Sequence, residues 1–382
     1  MAVPAISLNS RDFLIELDDL LFEVCEELQL APYRYRQAEE RYQVVAAVLE
    51  ADGSPFAPFA PKIYPQGSMR LGTTVRPLEG PHDLDFVLEL STPYEHVDPM
   101  KLIRALFAVL KNHGTYKDMV DLKNRCVRIT YADEFYMDIL PACEDHAAGT
   151  TCVQVPDRQV KFWKPSNPIG YANWFKWRAE LGPRLLLEKA MPIPAEQRTE
   201  EKRPLQLIVQ LLKRWRDIYY DGAEGAPISV VLTTLAAEYY RGEQSISEGL
   251  LSVLDRIVAA IDIAEEQGTR IVVCNPSNTA EDLSERWDEQ PEAYRMFNSG
   301  IRDFASQWGT LLTRGGNVNG ELDRLFGETV QQVRVKKAQR LQEARKAGSL
   351  GVTSAGRITA LSTAATPLRP NTFHGLKGTR ED

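Results

Sequence analysis

Two aspartates separated by a single residue are the side chains in this sequence most able to do chemistry. Asp83 and Asp85 open the apolar run 83–88, Asp-Leu-Asp-Phe-Val-Leu. Side chains two apart on a β-strand point to the same face, so both carboxylates project together, and the apolar residues predict a strand buried on both sides. Adjacent anions repel unless a cation lies between them, and Mg²⁺ prefers hard oxygen ligands. The pair therefore predicts a magnesium site on a buried strand.

A third acid lies further along the chain. The runs 126–131 and 135–142 flank a short turn and predict a β-hairpin, with Asp138 in the middle of its second strand. An acid among apolar neighbours is costly unless it is paired or metal-bound. If this strand lies beside the Asp83 strand, three carboxylates converge. Such a trio can hold two metal ions about 4 Å apart, and the third acid can serve as base or ligand for an acceptor hydroxyl.

The segment before the two aspartates supplies a phosphate-binding element. Residues 62–66 predict a short strand, Gly67-Ser68 follows, and the next residues have helical spacing. Glycine lets the backbone approach a phosphate, and amides at a helix start together with a serine hydroxyl can bind it. Each of these pieces is common. Their order, however, indicates a site for nucleotide transfer.

This spacing resembles the polymerase-β-like nucleotidyltransferases and, within them, the bacterial cGAS/DncV-like nucleotidyltransferase family (CD-NTases). The similarity spans roughly residues 10–310. The motif in the first half is shared by many nucleotidyltransferases, whereas the stretches in the helical half indicate this family. The stretches that show it are 64–73, 83–85, 138–142, 205–217, 227–236, 275–278 and 283–287. The resemblance implies an enzyme that makes cyclic oligonucleotide second messengers in antiphage defence.

The resemblance also implies a role for particular residues. In such enzymes the serine after the glycine contacts the donor triphosphate, three acids bind two Mg²⁺ ions, for which Mn²⁺ can substitute, and a lysine and a serine complete the phosphate site. The implied catalytic and metal-binding residues are Asp83, Asp85 and Asp138, and the implied nucleotide-binding residues are Gln66, Gly67, Ser68, Lys213 and Ser229. Two alternatives stay open: Lys213 can be a solvated lysine on an amphipathic helix, and Ser229 can cap or lie within the next helix.

The predicted architecture is α+β. A polymerase-β-like lobe with a mixed sheet and the N-terminal helices covers residues 1–165, and a helical, oligoadenylate-synthase-like lobe covers 166–346. A flexible tail covers 347–382. Predicted helices are 10–29, 34–50, 99–113, 169–190, 202–220, 228–241, 244–267, 280–286, 291–312 and 319–346, and residues 160–163 are predicted as a last strand.

Composition narrows the function classes. The 382 residues carry a net charge of −8, which disfavours obligate activation by nucleic acid, since that needs a basic surface. The sequence contains neither a long apolar stretch nor a signal-peptide pattern, so we expect a cytoplasmic protein without a membrane partner. The five cysteines form no Cys-x-x-Cys pair, so neither structural zinc nor a disulfide framework is predicted.

Two further regions are relevant to ligands and partners. A nucleobase stacks on an aromatic ring, and the candidates, each also able to be a core residue, are Trp163, Trp174, Trp177, Tyr219 and Tyr239. In the tail, Phe373-His374-Gly375 resembles the aromatic-glycine ends that some family members offer to a ubiquitin-transfer-like protein partner. Here seven residues follow the glycine. The tail is therefore either a plain extension or a partner handle.

Three function classes follow. In the first, NTPs, with ATP and GTP the expected substrates, are joined into a cyclic di- or trinucleotide with release of pyrophosphate, and a downstream effector reads the product. The alternative is a template-independent nucleotidyltransferase acting on RNA or on a protein. The third class is an inactive scaffold, against which the intact trio of acids argues. Ring size, linkage and nucleotide choice stay open.

Overall fold

The protein is described here from a computed structural model, which covers residues 9–132, 134–181, 202–314, 317–352, 358–360 and 366–367. A sheet-based lobe and a helical lobe face each other across a cleft. The predicted α+β class with a mixed sheet is confirmed.

The sheet-based lobe is built on seven strands. In sequence order they are β1 Lys62–Pro65, β2 His82–Pro93, β3 Val120–Leu122, β4 Val127–Tyr131, β5 Phe135–Glu144, β6 Val153–Asp157 and β7 Phe162–Ser166. The spatial order is β1-β2-β5-β4-β3, and β6 pairs with β5 and β7. Strands β2 and β5 run parallel, whereas the other pairs of this sheet are antiparallel. The two strands predicted to carry the acids are therefore direct neighbours.

The first half of the chain contains four helices, two of which cover one face of this sheet. Their bounds are α1 Asn9–Leu28, α2 Pro32–Glu50, α3 Gly67–Leu71 and α4 Pro99–Asn112. Helices α2 and α4 pack on the side of β2 that carries Leu84, Phe86 and Leu88. Helix α4 begins where a sequence rule expects it, because the Asp98 carboxylate accepts a hydrogen bond from the Lys101 amide at 2.9 Å and Pro99 needs no donor. The opposite side of β2 packs Val87 against β6. The strand is thus buried on both faces, as its sequence predicts.

The second lobe is a helical bundle. Its elements are α5 Pro168–Ala179, α6 Pro204–Tyr220, α7 Ser229–Tyr239, α8 Ile246–Glu266, α9 Arg286–Glu289, α10 Pro291–Arg314, α11 Val318–Phe326 and α12 Glu328–Lys346, with the strands β8 Cys274–Asn275 and β9 Asn278–Asp282. Helix α6 is its centre, since Leu205, Leu212 and Trp215 are almost wholly buried. None of the helices in the described stretches is long and apolar enough to cross a membrane.

The position of the first helix differs from the predicted division of the chain into two lobes. Residues 1–165 were assigned to the catalytic lobe, but Leu21 and Leu28 of α1 are fully buried in the core of the helical lobe. Helix α1 packs on α6, α8 and α12, whereas α2 packs on the sheet. Its apolar stripe is well suited to either core, so its position in the chain could not decide between them.

Other predicted elements also need correction. Residues 280–286 were predicted to be helical, yet β8 and β9 form a hairpin there, because Asn275 to Asn278 is a tight turn. The predicted helix 319–346 is interrupted at Gly327, where φ is +68°. Strand β7 begins two residues later than predicted, after Lys161 with its left-handed φ of +56°, and β6 was missed.

The ends of two predictions fall partly outside the described residues. Helix α5 ends at Ala179, and residues 182–190 are outside the described part of the chain. Within the predicted tail, the short strands β10 Leu350–Val352, β11 Ile358–Ala360 and β12 Thr366–Pro367 form a small sheet, and β10 and β11 lie beside α12. These strands were not predicted. The motif Phe373-His374-Gly375 lies outside the described residues.

Candidate active site

Strand pairing places the three predicted aspartates together. In the parallel register of β2 and β5, Asp85 lies opposite Asp138. Asp83 is two residues before Asp85 and therefore lies on the same face of the sheet. The alternation of burial along β2 agrees, since Asp83 is exposed, Asp85 partly buried, and the intervening Leu84 fully buried. The predicted adjacency of the two strands is confirmed.

The Gly67-Ser68 turn lies directly over Asp85. The amide of Gln66 donates a hydrogen bond to the Asp85 carbonyl at 2.8 Å, which fixes the turn to β2. Gly67 has a φ of +59°, and a Cβ added there would lie 2.7 Å from Asp85 Oδ2. Only glycine therefore fits without displacing the carboxylate. Ser68 follows in the short helix α3, which ends at Gly72 in a left-handed conformation.

Buried polar side chains of α6 hold the chain that follows this turn. Each donates a hydrogen bond to a backbone carbonyl in the segment 71–76, which crosses from the sheet-based lobe to the helical lobe. The bonds are Gln206 to Leu71 (2.8 Å), Gln210 to Thr74 (2.7 Å), Lys213 to Thr73 (3.1 Å) and Arg214 to Arg76 (2.6 Å). Helix α6 therefore sets the position of the turn relative to the helical lobe.

Lys213 is buried, so the reading of this residue as a solvated surface lysine is wrong. Its ammonium group donates to the carbonyl and the hydroxyl of Thr73, at 3.1 and 3.2 Å, and faces the cleft. Burial lowers the pKa of Lys213 to about 8, against the opposing attraction of the Asp85 carboxylate. Ser229 is the first residue of α7 and also faces the cleft.

The cleft between the lobes contains a cavity of about 560 Å³. Every residue implied for catalysis, metal or nucleotide binding lies in its wall, and the sheet and the helices each contribute part of the set. These residues are Gln66, Gly67, Ser68, Asp83, Asp85, Asp138, Lys213 and Ser229. Residues that are 163 positions apart in sequence, such as Gln66 and Ser229, are thus brought to one site. Its size suits nucleotide ligands.

Arg128 of β4 is a site residue that the sequence analysis missed. Its Nε and Nη2 donate to the two oxygens of Asp138, both at 2.7 Å, and Nη2 also lies 3.2 Å from Asp83 Oδ1. The guanidinium stacks over the Tyr136 ring at 4.4 Å. Arg128 was missed because it is a single arginine in a strand, without a recognisable motif around it. The predicted hairpin was the one feature that could have revealed it, because the hairpin register pairs Arg128 with Asp138.

The electrostatics of the three neighbouring aspartates favour cation binding. Burial raises the pKa of Asp85 to about 7, and repulsion from Asp138 and Asp83 adds to this shift. Burial also raises the pKa of Asp83, which Arg128 opposes. In the described part of the chain, no three Asp, Glu, His or Cys side chains are placed as a finished metal-ligand set. The carboxylates are neighbours, but Arg128 engages two of them.

Comparison with known proteins finds a matching domain model and two similar synthases. Residues 16–178 match the model of the Second Messenger Oligonucleotide or Dinucleotide Synthetase domain. The chain is 29% identical to a c-di-GMP synthase of Roseivirga ehrenbergii, over 94% of this chain and 97% of that protein. It is also 29% identical to the cyclic dinucleotide synthase CdnG of Bradyrhizobium diazoefficiens, over 94% of this chain and 93% of that one. These matches are to cyclic dinucleotide synthases and their domain, in agreement with the resemblance to the bacterial cGAS/DncV-like nucleotidyltransferases.

Solved structures of this nucleotidyltransferase family agree. The structure of B. diazoefficiens CdnG in complex with GTP has a TM-score of 0.70 and 25% identity, and covers 83% of this chain and 96% of that one. Escherichia coli DncV in its 3′-deoxy GTP bound form shares the fold, with a TM-score of 0.54 at 17% identity and coverage of 86% and 94%. The resemblance predicted from the motifs is therefore confirmed.

The five aromatic candidates for base stacking lie elsewhere in this nucleotidyltransferase. Trp163 is in the core of the sheet-based lobe, and Tyr219 packs on Trp215 and donates to Asp303 at 2.7 Å. Trp174 and Tyr239 pack against the helical core, while Trp177 is 56% exposed. None of the five belongs to the described residues that line the cavity. Tyr171, which was not a candidate, does line it.

The unpredicted β8–β9 hairpin closes one side of the cavity. Glu281 accepts hydrogen bonds from Asn275 Nδ2 at 2.7 Å and from Ser166 Oγ at 3.0 Å, and these three residues line the cavity. Burial raises the pKa of Glu281. The hairpin is fixed further by Glu285, just beyond it, which pairs with Lys164 of β7 at 2.6 Å. This side of the site joins the two lobes.

Proposed function

We propose that this enzyme joins nucleoside triphosphates into a cyclic dinucleotide with release of pyrophosphate. The observation that supports this most is the placement of Asp83, Asp85 and Asp138 on two paired strands beneath the Gly67-Ser68 turn, in one cavity with Lys213. Two relatives are named as cyclic dinucleotide synthases. GTP is the substrate to test first, because one relative is named for c-di-GMP and another was solved with GTP.

The residues present are suited to Mg²⁺. Their donors are carboxylate oxygens, which hard cations prefer, and a guanidinium already bridges Asp83 and Asp138, so the cluster attracts positive charge. Asp83, Asp85 and Asp138 would hold the two Mg²⁺ ions of the family, and Mn²⁺ would substitute. When bound, the metal supplies charge stabilisation at phosphate oxygens and makes the attacking hydroxyl more acidic.

The chain's own groups bind and orient the triphosphate of the donor nucleotide. The backbone at Gly67 approaches it closely, the Ser68 hydroxyl donates to it, and the ammonium of Lys213, fixed by Thr73, supplies a positive charge from the other lobe. Gln66 and Ser229 complete the wall. A triphosphate bound in this way would have its α-phosphorus above the sheet that carries the acids.

The acceptor nucleotide presents a ribose hydroxyl on the Asp138 side. Its oxygen forms a bond to the α-phosphorus, the bond from that phosphorus to the bridging oxygen of pyrophosphate breaks, and the hydroxyl proton passes to Asp138 or to water. A second round, with the linear product turned around, closes the ring. The steps need neither a covalent enzyme intermediate nor a histidine base. Catalysis is therefore mainly positioning and charge stabilisation.

We propose further that the cyclic product signals to an effector protein in antiphage defence and that the enzyme acts in the cytoplasm. The motif Phe373-His374-Gly375 would then be a handle for a protein partner rather than part of the catalytic machinery. The effector and the partner handle are proposed from the family resemblance.

The proposed activity is tested by incubation with α-labelled GTP or ATP and Mg²⁺, followed by phosphatase. A labelled product that resists phosphatase and has the mass of a cyclic dinucleotide supports the proposal. Label in added RNA or in the protein would instead indicate the alternative transferase, and no labelled product would indicate a scaffold. Comparison of GTP alone, ATP alone and the mixture identifies the preferred nucleotides.

A further inference from the structure

Arg128 holds the carboxylate of Asp138 with two hydrogen bonds, here called the Arg128 fork. The pairing of strands in the sheet determines this contact. Arg128 and Asp138 are register partners on β4 and β5, so their side chains leave the same face of the sheet side by side. Tyr136, two residues before Asp138, supports the guanidinium from below at 4.4 Å. The side chain of Arg128 is 24% exposed and that of Asp138 14%. A planar, half-buried fork of this kind is a pre-organised interaction.

The fork uses the carboxylates that the proposed function assigns to metal. Nε and Nη2 take both oxygens of Asp138, and Nη2 also lies within 3.2 Å of Asp83. Carboxylate lone pairs that accept from a guanidinium are not available to a metal ion. A cation bound beside Arg128 would also be repelled by it. Arginine and divalent metal are therefore alternative occupants of the same carboxylates.

We propose that Arg128 is a positioning residue that holds Asp83 and Asp138 together in the nucleotide-free enzyme and competes with divalent cations for them. The proposal rests on the proposed function only in that these two aspartates are metal ligands. A nucleotide changes the balance, because its phosphates offer the guanidinium another bidentate partner and bring ligands for the metal. Free metal therefore binds weakly, and metal binds firmly only together with nucleotide.

Mn²⁺ binding without nucleotide, followed by the paramagnetic resonance signal of free Mn²⁺, tests this proposal. Arg128→Gln keeps polarity and most of the length but removes the charge. We expect it to bind Mn²⁺ about tenfold more tightly than the unaltered enzyme, because charged hydrogen bonds no longer compete. Addition of non-hydrolysable GTP is expected to reduce this difference. An affinity that is unchanged or weaker in Arg128→Gln overturns the proposal.

Two control variants make the result specific. Arg334 also pairs with a carboxylate away from the cavity, because its Nη2 donates to both oxygens of Asp323 at 2.7 Å. Arg334→Gln is expected to leave Mn²⁺ affinity unchanged. Arg128→Gln combined with Asp138→Asn is expected to lose the gained affinity, which locates the ion at this site. If the tight binding survived in this double variant, the ion would lie elsewhere and the proposal would be wrong.

A second variant covers the case in which Arg128→Gln does not fold. Arg128→Lys keeps the charge but cannot form the two-bond fork, so we expect a severalfold gain in Mn²⁺ affinity, and no gain overturns the proposal. The readout needs no turnover. An enzyme that makes a cyclic product without the expected change in Mn²⁺ affinity contradicts this inference alone. The expected change in a protein that makes no cyclic product contradicts the proposed function alone.

Discussion

The two walls of the cavity use polar side chains in opposite ways. On the sheet, Asp83, Asp85 and Asp138 are crowded together, and Asp85 has a raised pKa because burial and its neighbours disfavour its charge. On α6, by contrast, Gln206 and Gln210 each donate to a backbone carbonyl of the segment 71–76. The sheet therefore holds charge that a ligand must compensate, whereas the helix uses its donors to fix the geometry of the segment 71–76. In this site, different side chains bind the ligand and position the backbone.

Gly67→Ala is the change expected to damage the sheet wall most. The new Cβ would lie 2.7 Å from Asp85 Oδ2, and an L-residue at this φ costs about 1–2 kcal/mol. Displacement of the carboxylate by about 1 Å lowers turnover by about 100-fold, as measured by the rate of product formation. Gly80→Ala is the matched control, because Gly80 has a φ of +76° but nothing within 4 Å of an added Cβ. Equal loss of activity in both variants would contradict the role of the contact.

Variants of Lys213 and Gln210 distinguish two uses of polar side chains on one helix, namely ligand binding and positioning of the backbone. Lys213→Met removes a buried charge proposed to bind phosphate, so we expect about 10- to 100-fold lower activity. The melting temperature should change little, because relief from burying the charge offsets the lost hydrogen bonds to Thr73. Gln210→Leu leaves the Thr74 carbonyl without its donor and is expected to cost about 1–3 kcal/mol of stability, with a smaller effect on KM for the nucleotide. Thermal unfolding and steady-state kinetics check both. A large loss of stability in Lys213→Met together with a large loss of activity in Gln210→Leu would contradict this difference between the two residues.

Asp85 predicts an unusual pH dependence of stability in metal-free buffer. Its pKa is about 7 in the folded chain, whereas an unfolded aspartate titrates near 3.9, so the folded state binds more protons between these values. The free energy of unfolding therefore falls as pH rises from about 4 to 7. Asp85→Asn is expected to flatten this slope. Denaturant melts across this range measure it, and a slope that is unchanged in the variant would show that other groups cause it.

Truncation after residue 367 is expected to have the smallest effect. It removes the motif Phe373-His374-Gly375 but keeps the short strands beside α12 and every described residue that lines the cavity. Synthesis by the purified protein should match that of the full chain. Loss of activity in the truncated protein would contradict the proposal that this motif is only a partner handle.

The sequence predicted the parts of the site that depend on local pattern. Alternation around Asp83 and Asp85 gave the strand and its polar face, and the hairpin around Asp138 could be recognised from its two apolar runs. The sequence analysis missed the contact between Arg128 and Asp138, because no motif surrounds the arginine and the contact follows only from the register of the two hairpin strands. Nor could it place α1 in the helical core or reveal the β8–β9 hairpin, because both depend on packing between distant segments.

The most direct test of the central claim is product formation by an Asp83→Asn, Asp85→Asn double variant, measured by mass spectrometry with GTP and Mg²⁺. Asp121→Asn is a suitable control, because Asp121 lies on the edge strand β3 of the same sheet and its side chain is 63% exposed. The account predicts that the double variant folds but makes no detectable cyclic product, while the control keeps full activity. Full turnover by the double variant would contradict it.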